Sequence, residues 1–178
     1  MNRKDFIKSA AVLAGAAAMT PLASSASVLQ GKPAKRVTLK KSLGLGMIKE
    51  GTSLTDKFKI ARELGFDGVE LNSPVDYTMS EILEAKSKTG IELPTVVNKD
   101  HWSSPLSDPD PAVRKKCIDS IAKSLQEVKE MGGDTVLVVP GVVNEKVSYE
   151  QAYITSQQAI RELIPYAEKT GMQIALEN

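Results

Sequence analysis

The sequence predicts an α/β fold, a (β/α)8 TIM barrel truncated after its fifth strand, and three observations lead to this prediction. From residue 42 onward one unit repeats: a helical apolar pattern ends at a glycine, and an apolar strand begins one to three residues later. Alternation of strands and helices implies parallel pairing through right-handed crossovers. Acids and amides follow the strands, with no glycine-rich dinucleotide or phosphate loop, which favours a barrel over an open doubly wound sheet.

The strands are predicted in order along the chain. The first lies within residues 42–48, SLGLGMI. Four helix–glycine–strand units then follow, and they read ARELGFDGVELN, AKSKTGIELPTVVN, VKEMGGDTVLVVPG and AEKTGMQIALEN. A glycine suits the left-handed turn after a helix, and the four glycines are Gly65, Gly90, Gly132 and Gly171. Because a whole barrel needs about 250 residues, we expect the last three strands to be absent.

Apolar residues at helical spacing and capping residues place the helices. The apolar stripes are Leu54, Phe58, Ala61 and Leu64, then Ile118, Ile121, Leu125 and Val128, and then Tyr153, Ile160, Leu163, Ile164 and Ala167. Capping-box spacing marks two helix starts, and Asp-Pro marks a third. These caps are Thr78 with Glu81, Ser148 with Gln151, and Asp110 with Pro111.

Residues 1–26 predict a secretory signal peptide. Arg3, Lys4 and Lys8 precede a short apolar run at residues 9–19, and small residues at 24–26 allow cleavage after residue 26. The run RKDFIK at residues 3–8 resembles a twin-arginine (Tat) signal with lysine as its second basic residue. Both the Tat and the Sec routes therefore stay open.

Three segments follow from this division: a signal peptide at residues 1–26, a linker at residues 27–41 and an incomplete barrel at residues 42–178. We expect an exported, periplasmic protein. No cysteine follows the apolar run, so we expect no lipoprotein-type or other stable membrane anchor. The sequence leaves the oligomeric state open.

The composition is that of an ordinary globular domain, with 42% apolar residues, 25% charged residues and a net charge of +1. This charge gives no reason to expect nucleic acid as a partner. Cys117 is the single cysteine, which excludes an internal disulfide and a cysteine-based zinc cluster. We interpret it as a small buried side chain.

Two glutamates are predicted to point into the barrel. Side chains alternate along a strand, so Glu70 and Asn72 face inward if Val69 faces the helices. By the same alternation Glu177 points inward near the end of the fifth strand. A buried carboxylate is costly unless it binds a metal, a cation or a hydrogen-bonding substrate. The alternative is that each glutamate pairs with a lysine at the rim.

His101 and Trp102 follow the third strand, and His101 is the single histidine of the chain. Together they offer an aromatic platform for a sugar ring and an imidazole for a hydroxyl group. We therefore predict that both bind substrate. The alternative is a solvent-exposed loop histidine.

The run GFDGVELN, the histidine after the third strand, the VVPG turn and the final ALEN resemble the xylose isomerase-like barrels. These barrels include the sugar phosphate isomerase/epimerase family, ketose 3-epimerases and endonuclease IV. The resemblance covers residues 42–178. Endonuclease IV-type members carry a histidine where this chain has Val139, which argues against a three-zinc nuclease site.

The resemblance implies a metal-dependent sugar or sugar phosphate isomerase or epimerase that transfers a proton next to a carbonyl. It implies that Glu177 is a divalent metal ligand and an acid/base, and that His101 and Glu70 hold substrate hydroxyls. Mn2+ or Mg2+ is the expected metal, with Zn2+ as an alternative. The other ligands of the family come from strands six to eight.

Two further functions stay open. One is a metal-dependent hydrolase or lyase on the same barrel. The other is a barrel fragment that binds a carbohydrate without catalysis. A barrel fold by itself does not decide among them.

Overall fold

A computed structural model describes residues 38–177. Every strand and helix described here lies in one compact unit, Leu39–Asn178. The predicted signal peptide and most of the predicted linker lie outside the described residues. The strands are β1 (Ser42–Gly44), β2 (Gly68–Ser73), β3 (Thr95–Asn98), β4 (Thr135–Val138) and β5 (Gln173–Leu176), and the helices are α1 (Leu54–Glu63), α2 (Met79–Thr89), α3 (Pro111–Met131) and α4 (Tyr149–Thr170).

The five strands form one parallel sheet in the order β1-β2-β3-β4-β5. In a doubly wound sheet the strand order reverses at a switch point, whereas here each strand pairs with the next along the chain. Right-handed crossovers then place all helices on the same face, and consecutive helices do pack on one another. The structure therefore confirms a sequential (β/α) barrel arrangement.

The hydrophobic core lies between the sheet and the helices. Alternate residues of β2 point into it, as do the inward faces of α1 and α3. Full burial of each such side chain stabilises the fold by about 1.5–3 kcal/mol. Its largest members include Phe58, Leu71, Ile82, Leu93, Ile121, Leu125 and Leu163.

The helix boundaries follow the predicted caps. Thr78 and Ser148 form capping boxes at the starts of α2 and α4, and Asp110 caps α3. A third capping box, Ser53 with Asp56, starts α1. The four predicted glycines all have positive φ, between 66° and 81°, a conformation that costs other residues about 1–2 kcal/mol.

The structure corrects three details of the prediction. Strand β1 ends at Gly44, and a short 3-10 helix at Leu45–Met47 follows it. Leu64 is 66% exposed and lies outside the apolar stripe of α1. On α4, Tyr153 and Ile164 are exposed, and the buried face is formed by Ala152, Ser156, Ala159 and Leu163.

Cys117 is fully buried in α3, as predicted. Burial raises the pKa of its thiol to about 12, so the thiol stays protonated and unreactive at neutral pH. Within residues 38–177, the structure has no helix long and apolar enough to cross a membrane.

Gly133, two residues after the end of α3, packs against the backbone that precedes β3. A substitution at this position tests how tightly the end of α3 packs against the sheet. A Cβ atom there would clash with the carbonyl oxygen of Leu93 and would lie 2.7 Å from that of Pro94. We expect Gly133→Ala to lower the free energy of unfolding by about 1–3 kcal/mol, measured by urea denaturation. Gly44→Ala is the control, because Gly44 has φ −66° and open space around its Cβ position; an equal loss in both variants would contradict the prediction.

Candidate active site at the carboxyl ends of the strands

Glu70 lies on β2 on the side of the sheet opposite the helices. Its neighbours Val69 and Leu71 are buried in the core, while Glu70 is half-buried and Asn72 is exposed. The Glu70 carboxylate accepts a hydrogen bond of 3.0 Å from the Ser42 hydroxyl. Among residues 38–177, no lysine or arginine forms an ion pair with it, so the predicted alternative of a rim salt bridge is not seen there.

His101 is buried just beyond β3, with 3% of its surface exposed, so it is not a solvent-exposed loop histidine. Its Nδ1 atom accepts a hydrogen bond of 3.2 Å from the backbone N–H of Val139, which follows β4. Because Nδ1 is the acceptor, the neutral ring carries its proton on Nε2. The structure thus defines which nitrogen of His101 can donate to a bound molecule.

The charge state of His101 depends on its surroundings. Burial lowers the pKa of His101 below its usual value of 6.5, while the carboxylates of Glu177 and Asp100 act in the opposite direction. The imidazole is therefore neutral at pH 7. His101 and Glu177 lie at the same edge of the sheet, because they bond to the adjacent residues Val139 and Val138 at the end of β4.

Glu177 directly follows β5, and its backbone N–H donates to the carbonyl oxygen of Val138 at 3.1 Å. Its side chain is exposed. Trp102 is 65% exposed, and its ring meets His101 edge to face, with 5.4 Å between ring centroids. Trp102 and Glu177 line the same cavity of about 530 Å³. The structure therefore brings His101, Trp102 and Glu177 together, while Glu70 lies three strands away on the same edge.

A buried carboxylate outside the predicted site holds the end of β2. Glu127 of α3 is 8% exposed. It accepts hydrogen bonds from the Ser73 hydroxyl at 2.6 Å and from the Val75 N–H at 2.9 Å. Its ion pair with Lys123, at 3.5 Å, adds little because the lysine is exposed. The sequence did not predict this role of Glu127, because an acidic residue in a helix is usually exposed to solvent.

A second buried network holds the end of β3. The side-chain amide of Asn98 donates to the hydroxyls of Ser120 at 2.9 Å and Ser124 at 3.2 Å, and both belong to α3. Ser120 in turn donates to the Asp100 carboxylate at 2.6 Å. Asp100 directly precedes His101, so this network fixes the segment that carries the histidine. Two serines one turn apart on the apolar face of α3 were the sequence signal for it.

The described residues at this edge do not by themselves form a metal site. Glu177 offers an exposed carboxylate, whereas Nδ1 of His101 is already occupied by the Val139 N–H. Within the described part of the chain, no three side chains of His, Cys, Asp or Glu are grouped so that they could hold a metal ion. Glu70 and Glu177 each offer a carboxylate at this edge, on strands that are three apart.

Fold and site together define a parallel (β/α) barrel protein with its polar residues at the carboxyl ends of the strands. The family model of the xylose isomerase-like TIM barrel matches residues 58–178. The chain belongs to this family, as the sequence resemblance predicted.

The chain is similar to several epimerases. L-ribulose-5-phosphate 3-epimerase UlaE of Salmonella heidelberg (strain SL476) is 22% identical over 154 residues, which cover 78% of this chain and 54% of that protein. The apo structure of 3-keto-D-glucoside 4-epimerase YcjR from E. coli is similar with a TM-score of 0.67 and 21% identity, over 78% of this chain and 56% of that one. The IolI protein with a bound zinc atom is similar with a TM-score of 0.62 and 20% identity, over 78% and 51%.

The similarities cover part of each related protein and differ in what they establish. The chain spans about half the length of the curated relatives it matches. At identities of 20–21% the structural neighbours show the fold.

Substitutions of Glu127 test the hydrogen bonds that join α3 to the end of β2, which we call the tether. We expect Glu127→Ala to lower the free energy of unfolding by about 2–4 kcal/mol, because one buried and one part-buried donor lose their acceptor. Glu127→Gln should cost less, since its amide oxygen still accepts. Glu130→Ala, at an exposed position of the same helix, is the control. Urea denaturation measures all three, and a loss in Glu127→Ala no larger than the control would contradict the tether.

The single histidine makes the site observable by NMR. We expect its ring protons to titrate with a midpoint below 6.5, and Glu177→Gln to lower the midpoint further because a raising charge is removed. A folded-state pKa below the unfolded one stabilises the fold above pH 6.5, and this stabilisation is lost as the pH falls through the folded-state value. Glu168→Gln, an exposed change on α4, should leave the midpoint unchanged. A midpoint at or above 6.5 would contradict the buried neutral state.

Proposed function

We propose that this protein is a sugar isomerase or epimerase that transfers a proton at a carbon next to a carbonyl group. The observation that carries the proposal is the buried His101, whose ring is oriented by the N–H of Val139, at the same carboxyl edge where the backbone of Glu177 bonds to Val138. Family membership supports it, as do the names of the similar proteins, which are epimerases of sugars and sugar derivatives. Because the matched region covers only about half of those proteins, the proposal concerns the whole protein.

Each site residue has a proposed role in binding. The Nε2–H of His101 donates a hydrogen bond to a substrate oxygen, and the lowered pKa keeps the ring neutral while it does so. Glu70 accepts from a substrate hydroxyl across the edge, where Ser42 already donates to it. Trp102 offers an exposed aromatic face to the sugar ring. Together these groups orient a polyhydroxylated molecule above the strand ends.

Glu177 is proposed as the proton carrier and as one ligand of a divalent metal ion. Mn2+ or Mg2+ is proposed for an oxygen-rich site, with Zn2+ as the alternative that the IolI neighbour suggests. When bound, such an ion polarises substrate oxygens and acidifies the adjacent C–H bond. An exposed carboxylate at a strand end can reach that proton, and His101 holds a neighbouring oxygen in place.

Glu177→Gln tests this proposal directly. We expect it to reduce turnover on the order of 100- to 10,000-fold, because an amide cannot carry the proton. The purified natural protein is incubated in D2O with Mn2+ and, in turn, L-ribulose 5-phosphate, D-tagatose and a 3-keto-glucoside. Deuterium incorporation at the epimerised carbon is followed by NMR, with Glu168→Gln as the control.

The alternatives give different products. Release of a cleaved or dehydrated product without deuterium incorporation would favour the hydrolase or lyase. Sugar binding without turnover or metal dependence would favour a non-catalytic binding protein. Either result would contradict the proposed isomerase or epimerase.

A further inference from the structure

Two neighbouring loops at the carboxyl edge are joined at two points. The loop from β3 to α3 carries His101 and Ser107, and the loop from β4 to α4 binds both of them. At the first point the Val139 N–H donates to Nδ1 of His101 at 3.2 Å. At the second point the Ser107 hydroxyl accepts from the Val142 N–H at 2.8 Å and donates to the Val142 carbonyl oxygen at 3.0 Å. We call this second point the clasp.

The Ser107 hydroxyl is held in place by its own loop. Ser107 is 2% exposed, and the preceding Leu106 is fully buried. The Asp108 N–H donates to the carbonyl oxygen of Pro105 at 3.0 Å, which closes a turn around both residues. One hydroxyl thus serves as donor and acceptor to the same peptide residue, Val142, as a neighbouring strand would.

The segment between the two points is short and has little room to bend. Pro140 fixes its own φ near −65° and restricts Val139 before it to extended conformations. Gly141 is wedged between two elements, because a Cβ atom there would lie 2.6 Å from Oγ of Ser156 and 3.1 Å from Cβ of Ser107. A displacement at the clasp is therefore transmitted along the segment to the N–H of Val139.

We propose that Ser107 is a positioning residue, whose hydroxyl holds Val142 so that the Val139 N–H points at Nδ1 of His101. The clasp thereby fixes the orientation of the imidazole and keeps the proton of the neutral ring on Nε2. The consequence for turnover rests on the proposed function, in which that Nε2–H holds a substrate oxygen. The effect on the hydrogen bond between Val139 and His101 does not depend on any substrate.

Hydrogen exchange of the Val139 amide, followed by NMR on the purified natural protein, measures this hydrogen bond. Ser107→Ala removes both partners of the Val142 backbone groups. We expect the Val139 amide to exchange roughly 5- to 10-fold faster in this variant. Ser103→Ala is the matched control and should leave the rate unchanged, because Ser103 is an exposed serine of the same loop.

The alternative is that the clasp closes the loops without orienting His101, and a double-mutant cycle separates the two. His101→Phe keeps a ring at the buried position and removes the acceptor of the Val139 N–H. If Ser107 acts through this hydrogen bond, adding Ser107→Ala to His101→Phe changes the exchange of Val139 by less than about 2-fold. An equal acceleration in both backgrounds would overturn the proposal.

The ring of His101 gives a second, spectroscopic readout. Selective 15N labelling of histidine yields the signals of one ring, because His101 is the single histidine of the chain. At pH 8 the Nδ1 resonance should shift in Ser107→Ala, since its hydrogen-bond donor is displaced, and should stay in place in Ser103→Ala. An unshifted Nδ1 resonance together with unchanged exchange of Val139 would also overturn the proposal.

Circular dichroism checks that each variant is folded. Should Ser107→Ala not fold, Ser107→Cys carries the same measurements, because a thiol has a similar shape but is a weak donor and a weak acceptor. The expected results are the same faster exchange of the Val139 amide and the same shift of Nδ1. Unchanged values in folded Ser107→Cys would count against the clasp in the same way.

Failure of this inference is distinguishable from failure of the proposed function. We expect Ser107→Ala to slow deuterium incorporation into the sugar about 10-fold, because the substrate oxygen is held less well. Absence of any incorporation by the natural protein would remove the isomerase or epimerase, while the exchange of Val139 would still decide the role of Ser107. Incorporation by the natural protein without coupling between Ser107 and His101 would leave the enzyme and remove the positioning role.

Discussion

The carboxyl edge of this barrel depends on buried hydrogen bonds from α3 to the ends of β2 and β3. Glu127 accepts from the end of β2, and Asn98 joins the end of β3 to two serines. These groups lie in the low-dielectric layer between sheet and helix, where an unpaired partner costs about 1–3 kcal/mol. The edge is therefore held in one arrangement, which also determines where the loops that follow the strands begin.

His101 shows how this constraint produces a chemical property. The Ser120 hydroxyl donates a hydrogen bond to Asp100, the residue before His101. The N–H of Val139, just after β4, donates to the ring of His101 itself. The ring is thus fixed in one tautomer and buried from water, and burial lowers the pKa of His101. A neutral imidazole with a defined N–H is a directional donor for a sugar oxygen, whereas a mobile surface histidine near pH 6.5 would be a mixture of charge states.

The same edge divides into a polar and an apolar region. Glu70 offers a carboxylate that faces away from the helices, and Glu177 offers an exposed one, while the loop after β4 and the start of α4 offer aromatic and aliphatic surface. The proposed sugar substrate would contact the first region. Trp102 and Glu177 lie at the boundary between the two regions.

The sequence by itself determined the order of the elements, because capping residues, positive-φ glycines and apolar periodicity act within a few residues. It also determined that Glu70 faces away from Val69 and Leu71, since side chains alternate along any strand. Only the tertiary structure decided that His101 is buried, that Glu127 is a tether, and that Tyr153 and Ile164 are exposed. Those properties depend on contacts between residues tens of positions apart, such as Val139 with His101 and Glu127 with Ser73, and no local pattern encodes them.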